Sequence, residues 1–302
     1  MFYRATQSIL LLLLATVVVF LILRLAPGDP ALLLLGDQTS PEGLAQLRKV
    51  MGLDRPLPEQ YLNYLSRLLR GDFGTSIRAQ RPVLTYVGYR LPASLQLLAA
   101  TLAFAILLGL PIGIIAAVRH RSLVDYSVMT VSLLGQSVPA FWLGLMLIVV
   151  FSVHLRLLPP SGRGGLAHLI MPSFTLGFYL LGLVSRLTRS EMLEVLSADY
   201  VRTARAKGLA ERIVVAKHAL RNALLPVVTV LGLQAGALLG GAVVTETVFS
   251  WPGIGSLAVQ AVYQRDYPVV QGIVLLSATM FVLVNFLVDV MYLYLDPRIA
   301  YR

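Results

Sequence analysis

Residues 191–226 read EMLEVLSADYVRTARAKGLAERIVVAKHALRNALLP, from Glu191 to Pro226, the most charged stretch of a very apolar chain. Between Glu191 and Lys207 the charges are Glu191, Glu194, Asp199, Arg202, Arg205 and Lys207. Acids come first and bases last, the order that complements a helix dipole. Leu193, Leu196, Tyr200 and Ala204 step by three, four and four residues, which predicts one helical stripe. Gly208 suits the stop of that helix. A second helix is expected to resume at Ala210 and run through Asn222 into the next apolar run. The segment reads as a helix–Gly–helix elbow whose bend is flanked by the small residues Ala204 and Ala206. A tip without long side chains fits a partner's groove. An amphipathic helix lying on anionic lipid is the other reading open to such a segment.

Outward from the elbow the chain is hydrophobic. Of 302 residues, 57% are hydrophobic and 13% charged, against about a quarter charged in soluble domains. Six runs approach the ~20 residues a helix needs to cross about 30 Å of hydrocarbon. They lie at roughly 8–26, between Arg90 and Arg119, between Asp125 and His154, and at 169–185, 226–245 and 269–287. The runs are continuous and not alternating, so helices and not barrel strands are expected. The fold class predicted is an all-α polytopic membrane protein. The first run reads as a retained span, because no small-x-small site follows it before Pro27-Gly28-Asp29-Pro30.

Orientation follows from the loops. Arg119 and Arg121, then Arg186, Arg189, Arg202, Arg205, Lys207, Arg212, Lys217 and Arg221, then Arg298 and Arg302, fall on one side. Arg156, Arg163 and Arg265 fall on the short loops opposite. The basic side is expected to be cytoplasmic, with both termini inside. The net charge of +10 is thus read as a membrane orientation signal and not a nucleic-acid footprint. With no cysteine, disulfide and thiolate chemistry are excluded. His120, His154, His168 and His218 have no metal-site spacing, and no metal ligand set is assigned.

The long outer loop, 28–90, carries apolar residues at helical spacing, Leu44, Leu47 and Met51, then Tyr61, Tyr64, Leu65 and Leu68. Two short amphipathic helices are expected, the first capped by Ser40 ahead of Pro41 and Glu42, followed by a turn at Gly71-Asp72-Phe73-Gly74. Within the spans, Gly109 and Gly113, and Gly232, Gly236 and Gly240, recur every four residues, a spacing that lets helix backbones approach. Pro111 and Pro139 are expected to kink their helices. Arg24, Glu246 and Asp289 sit near span ends and read as structural partners ahead of a proton relay. Gln136, Gln234 and Asn285 suit interhelical hydrogen bonds or a pathway lining. Residues 250–268, with Trp251, Pro252, Tyr263 and Tyr267, read as a re-entrant loop or an outer contact.

YVRTARAKGL followed by HALRNALLP resembles the cytoplasmic loop of permease subunits of ATP-binding-cassette importers, in their dipeptide/oligopeptide/nickel branch. The broad superfamily has Glu-Ala-Ala, three residues, Gly, then a Pro. Here Arg202, Thr203, Ala204 and Gly208 occupy those places, and the usual Pro falls near Arg221, a departure typical of the branch. Gly71–Ser76 (GDFGTS), Gly241–Phe249 (GAVVTETVF), Pro252-Gly253-Ile254-Gly255, Asp266-Tyr267-Pro268 and Leu295-Asp296-Pro297-Arg298 are similar to branch signatures in the same order. The long first outer loop is similar to the B-type member of the permease pair.

The resemblance implies a type I importer permease fold in a prokaryotic plasma (inner) membrane. Its parts are a first transmembrane helix at 1–27, an extracytoplasmic loop at 28–90, a five-helix core at 91–295 and a cytoplasmic tail at 296–302, with the ATPase-coupling elbow at 191–225. It implies a second homologous permease, two cytoplasmic ATP-binding subunits holding ATP and Mg, and an extracytoplasmic substrate-binding protein. Coupling falls on Asp199, Tyr200, Thr203, Ala204, Ala206, Gly208 and Asn222, with Glu246, Gln234 and Asn285 as gate or pathway residues. No catalytic residue and no cofactor are expected in this chain. No Gly is followed by Lys, so it lacks the Gly-x-x-x-x-Gly-Lys loop that cradles ATP. Di- and oligopeptides are the expected cargo; nickel chelates, glutathione and other small solutes share the architecture. A secondary transporter would show an inverted repeat or a buried relay, and neither is evident in the sequence.

Overall fold

The structure, a computed structural model, describes residues 2–25, 40–50 and 52–295. The expectations for Pro27–Pro30, Asp296–Arg298 and Arg302, and for the side chains of Arg24 and Asp289, lie outside what is described. Among the described residues every extended regular element is a helix. Two compact units form: residues 1–92 with 256–280, and residues 93–255 with 281–302.

The first unit holds α1 (Phe2–Leu25), α2 (Pro41–Val50), α3 (Leu57–Leu69) and α4 (Val83–Gly88). The two amphipathic helices expected in the outer loop are thus α2 and α3. The Ser40 hydroxyl accepts from the Gly43 amide at 3.2 Å, a first-turn cap on α2. Helix α1 is apolar from Thr6 to Ile22 and meets α3 through aromatic contacts. Phe20 lies edge-on to Tyr61 and stacked on Tyr64, while Thr16 and Tyr61 share a hydrogen bond of 2.9 Å. Burial pushes the Tyr64 phenol up to about 12, with Tyr61 adding to the rise.

The second unit begins near the start of the next helix, and residues 256–280 return to the first. Helix α5 (Leu91–Val118) runs unbroken past Pro111. Helices α6 (Leu123–Ser137) and α7 (Ala140–Leu147) follow, then a π turn at Ile148–His154. The expected kink at Pro139 is a break: α6 and the stretch after it are bent by 101°. Pro139 supplies no N–H and pushes its predecessor out of the helical region, and Val138 is extended, with ψ of 123°.

Helix α8 (Leu166–Ser197) is longer than the expected span at 169–185, because it continues through the first residues of the charged stretch. It leads to α9 (Asp199–Ala206), the short α10 (Glu211–Ile213), a second π turn (Val214–Ala219) and α11 (Leu220–Gly241). The expected fifth span to Thr245 stops at Gly241, and α12 (Val243–Val248) is a separate turn. Helices α13 (Ile254–Tyr263) and α14 (Tyr267–Leu295) complete the chain.

Among the described residues, four helical stretches, at 83–118, 166–197, 211–240 and 267–288, are long and apolar enough to cross a membrane, and the bent pair at 123–154, taken as one span, makes a fifth. Small residues let the helices of the second unit approach closely. A Cβ on Gly113 would stand 2.6 Å from the Ser185 carbonyl oxygen of α8, and one on Gly236 2.7 Å from the Phe281 ring of α14. Gly240, the last rung of the expected ladder, has open space where a side chain would be. The core between α5, α8 and α11 is built on Ala105, Leu180, Val184 and Val227.

Candidate functional site

The elbow starts where α8 ends. Ala198 leaves the helix with ψ of 147°, and α9 restarts at Asp199. The stripe Leu193–Leu196–Tyr200–Ala204 is therefore split between two helices. Helix α9 folds back so that Val201 and Ala204 pack on Val214 of the second π turn, with Val195 and Leu196 of α8 beside them. Ala204, expected at an open tip, is only 6% exposed, because it forms this small core. Ala206, on the other flank of the bend, is exposed, as are Asp199 and Thr203.

Gly208 turns the chain in the left-handed region at φ of 76°, a conformation that favours glycine. A pair of hydrogen bonds spans that turn: Arg205 Nε donates to Glu211 Oε2 at 3.1 Å and Arg205 Nη2 to Oε1 at 2.8 Å. The bond to Glu211 raises the Arg205 guanidinium further above its ordinary value. On the other side of α9, Asn222 Nδ2 donates to the Tyr200 hydroxyl at 2.8 Å. The elbow thus joins α8, α9 and α11 by a small apolar core, a bidentate ion pair and an amide–phenol bond. Its outward face is Asp199, Arg202, Thr203, Ala206 and Lys207.

A second cluster surrounds Glu246 in α12. Its side chain is 1% exposed. The Ser94 hydroxyl of α5 donates to Glu246 Oε1 at 2.6 Å and accepts from the Ile254 amide at 2.8 Å. Trp251, wholly buried, donates its indole N–H to the Ala93 carbonyl at 2.8 Å, and its backbone amide bonds the Glu246 carbonyl at 2.7 Å. A Cβ on Gly253 would fall 2.2 Å from the Glu246 carboxylate. Residues 249–255 therefore close over the carboxylate, and Glu246 faces a sealed cluster. Gln234 and Asn285, half-buried, lie on α11 and α14, the helices that Gly232 and Gly236 bring together on Val288 and Phe281.

In the first unit, Asp266 at the start of α14 is 2% exposed. It accepts from the Ser76 hydroxyl at 2.5 Å and from the amides of Ile77 and Arg78 at 3.1 and 3.2 Å. The GDFGTS and Asp-Tyr-Pro stretches, far apart in sequence, meet in this one joint.

Two family models match the chain in succession. The N-terminal model of binding-protein-dependent transport system membrane components covers residues 1–98. The model described as "binding-protein-dependent transport system inner membrane component" covers residues 109–301. The chain belongs to this family. Among its relatives, the dipeptide transport system permease protein DppB of Escherichia coli is 44% identical over 319 residues, spanning 95% of this chain and 94% of the relative. The glutathione transport system permease protein GsiC of Salmonella typhimurium is 47% identical over 291 residues, spanning 96% and 95%. A chain of the MetNI methionine ABC transporter, in an inward-facing conformation, has a similar fold, with a TM-score of 0.59 at 18% identity over 70% of this chain and 96% of that one.

This inner membrane component also holds a joint that sequence reading missed. Asp125, at the third position of α6, is 1% exposed. Arg189 of α8 donates to it through Nε and, at 2.7 Å, through Nη2. The Arg121 amide adds a bond of 3.0 Å, and His120 Nδ1 stands 3.2 Å from both Asp125 Oδ2 and Arg189 Nη2. The signal present in the sequence is Ser122-x-x-Asp125 ahead of an apolar run, a capping pattern, with the Ser122 hydroxyl accepting from the Asp125 amide at 3.3 Å. That pattern announces a helix start; it does not announce Arg189.

Proposed function

We propose that this chain is one permease of an ATP-driven importer, pairing with a second permease to pass short peptides delivered by an extracytoplasmic binding protein. The relatives named for dipeptide and glutathione transport support this cargo class, since glutathione is itself a tripeptide; nickel chelates and other small solutes are the alternative. Six spans with both termini in the cytoplasm complete the topology, α1 serving as the first span. ATP and Mg belong to two partner ATPases, which carry the hydrolysis.

The observation that carries the reading is the elbow. Its exposed face, Asp199, Thr203 and Ala206, is the docking surface for an ATPase groove. Tyr200 and Asn222, exposed beside it, fix α9 to α11. The ion pair across Gly208 supports movement of the elbow as one body, with no bending at the glycine. Closure of the ATPases would then displace α8 and α11 together and drive alternating access. Glu246 serves as the anchor of the 249–255 segment, and Gln234 and Asn285 as polar positions along α11 and α14.

The test is affinity purification in mild detergent with mass spectrometry, followed by thiol cross-linking in this cysteine-free chain. Recovery of a second permease, ATPases and a binding protein is expected. Cysteine at Ala206 should cross-link to a cysteine in the ATPase groove, whereas cysteine at the buried Ala204 should not. A stable oligomer of this chain alone, without ATPase, would overturn the reading.

A further inference from the structure

Helix α8 is the longest of the described helices, 32 residues from Leu166 to Ser197. At 1.5 Å per residue it measures about 48 Å, well beyond the ~30 Å of hydrocarbon. Its far end carries the elbow. Arg189 lies about 35 Å from its start on the same rise, farther than the thickness of that layer. Toward the bilayer, Ser185 and Thr188 press on Gly113 of α5. Toward the elbow, Met192 packs on Ala117, Ala219 and Ala223. Between these contacts α8 is tied to α6 by a charge pair whose carboxylate is buried and whose guanidinium is partly exposed.

The tie grips α6 at one end. Asp125 sits in the first turn of α6, where a carboxylate also complements the helix dipole. The other end of α6 is the break at Val138–Pro139, and beyond it α7 seats Gly144 against Phe249 and Val248. A displacement of α8 is therefore passed to α6 through a two-pronged guanidinium–carboxylate contact, which resists both sliding and rotation.

We propose that Asp125 and Arg189 form the positioning joint that carries the elbow's movement into the bent span, with His120 closing its open side. The inference rests on the importer reading given above. Breaking the joint separates ATP hydrolysis from import, because the elbow and its docked ATPases are untouched while the Asp125 end of α6 is released and α6 keeps to α8 only through the close packing of Gly182 on Ser132 and Gly135 on Phe178.

The experiment uses the complete transporter, reconstituted in vesicles, measuring peptide uptake and ATP hydrolysis in parallel. Asp125→Asn is expected to assemble, to keep hydrolysis within about twofold of the unaltered complex, and to lose at least tenfold in uptake. Arg189→Lys, which keeps the charge and loses the fork, falls between the two. In the double variant D125C/R189C, joining the two thiols with a short bifunctional reagent should restore uptake over the unjoined form. The rescue keeps the test decisive where a single variant folds poorly. Equal loss of uptake and hydrolysis, no loss in either, or a joined form no better than the unjoined one would each overturn the proposal. Failure of the unaltered complex to retain ATPase or to import with ATP would instead strike the importer reading.

Discussion

The Arg205 guanidinium holds the Glu211 carboxylate by two hydrogen bonds, 3.1 and 2.8 Å long, straight across the left-handed turn at Gly208. The pair is solvent-accessible, with side chains 41% and 55% exposed, so its Coulomb energy is screened. Arg205→Ala is expected to change thermal stability by less than about 1 kcal/mol. Uptake should nevertheless fall severalfold, because the elbow gains freedom to bend at Gly208. Exchanging the charges, R205E with E211R, should recover most of the uptake. Parallel thermal unfolding and transport assays check both.

At Glu246 the balance is reversed, since the group is buried and bonded. Glu246→Ala leaves the Ser94 hydroxyl without its acceptor and opens a void. Each unsatisfied buried group costs about 1–3 kcal/mol. A large fall in the melting temperature in detergent is expected, with Glu246→Gln milder. Gly253→Ala should match the alanine variant, as its new Cβ would lie 2.2 Å from the carboxylate.

Asp266 fastens the loop that contains Arg78 and Arg81. Asp266→Ala removes the acceptor for Ser76, Ile77 and Arg78 at one stroke. Tryptic cleavage after Arg78 should quicken by an order of magnitude or more, read as fragment appearance over time. Ser76→Ala, which spares the two amide bonds, should show a smaller increase.

Two glycines, each in a four-residue repeat, should respond oppositely. Gly113→Ala brings a methyl to 2.6 Å from a backbone oxygen, which cannot step aside, and α5 and α8 must separate. Gly240→Ala meets open space and gains helix propensity, worth up to about 1 kcal/mol. Melting temperatures of the isolated chain should fall for the first and hold or rise for the second.

The Tyr64 phenol sets a pH limit on the contact between α1 and α3. Its pKa in the folded chain, about 12, lies above the ordinary 10.0, so folding favours the neutral form. The stabilisation is complete below the unfolded value and is lost as pH rises through the folded one. Phenolate absorbance should reveal one tyrosine titrating near 12, and Tyr61→Phe should lower that value slightly.

The helices, the elbow and the amphipathic pair α2 and α3 were legible because each is written locally, in periodicity and caps. The joints were not. Asp125 and Arg189 stand 64 residues apart, Ser94 and Glu246 152, and Ser76 and Asp266 190. Periodicity carries no information over such distances. Family-like motifs flagged Glu246, Ser76 and Asp266 without their partners. The inward turn of Ala204 was hidden for a related reason. Spacing alone runs the stripe from Leu193 to Ala204 through one helix, whereas the chain breaks at Ala198 and α9 finds its own core on Val214.

The break at Pro139 also has a meaning for solvation. A helix carbonyl is served by the amide four residues on, and for Gly135 that residue is Pro139, which has no N–H to give. Hydrocarbon offers no substitute donor, and an unserved carbonyl there costs several kcal/mol. Gly135 is accordingly buried, its backbone set against Phe178 of α8. The bend at Val138–Pro139 marks a point in the membrane layer where the neighbour of the backbone is protein or water.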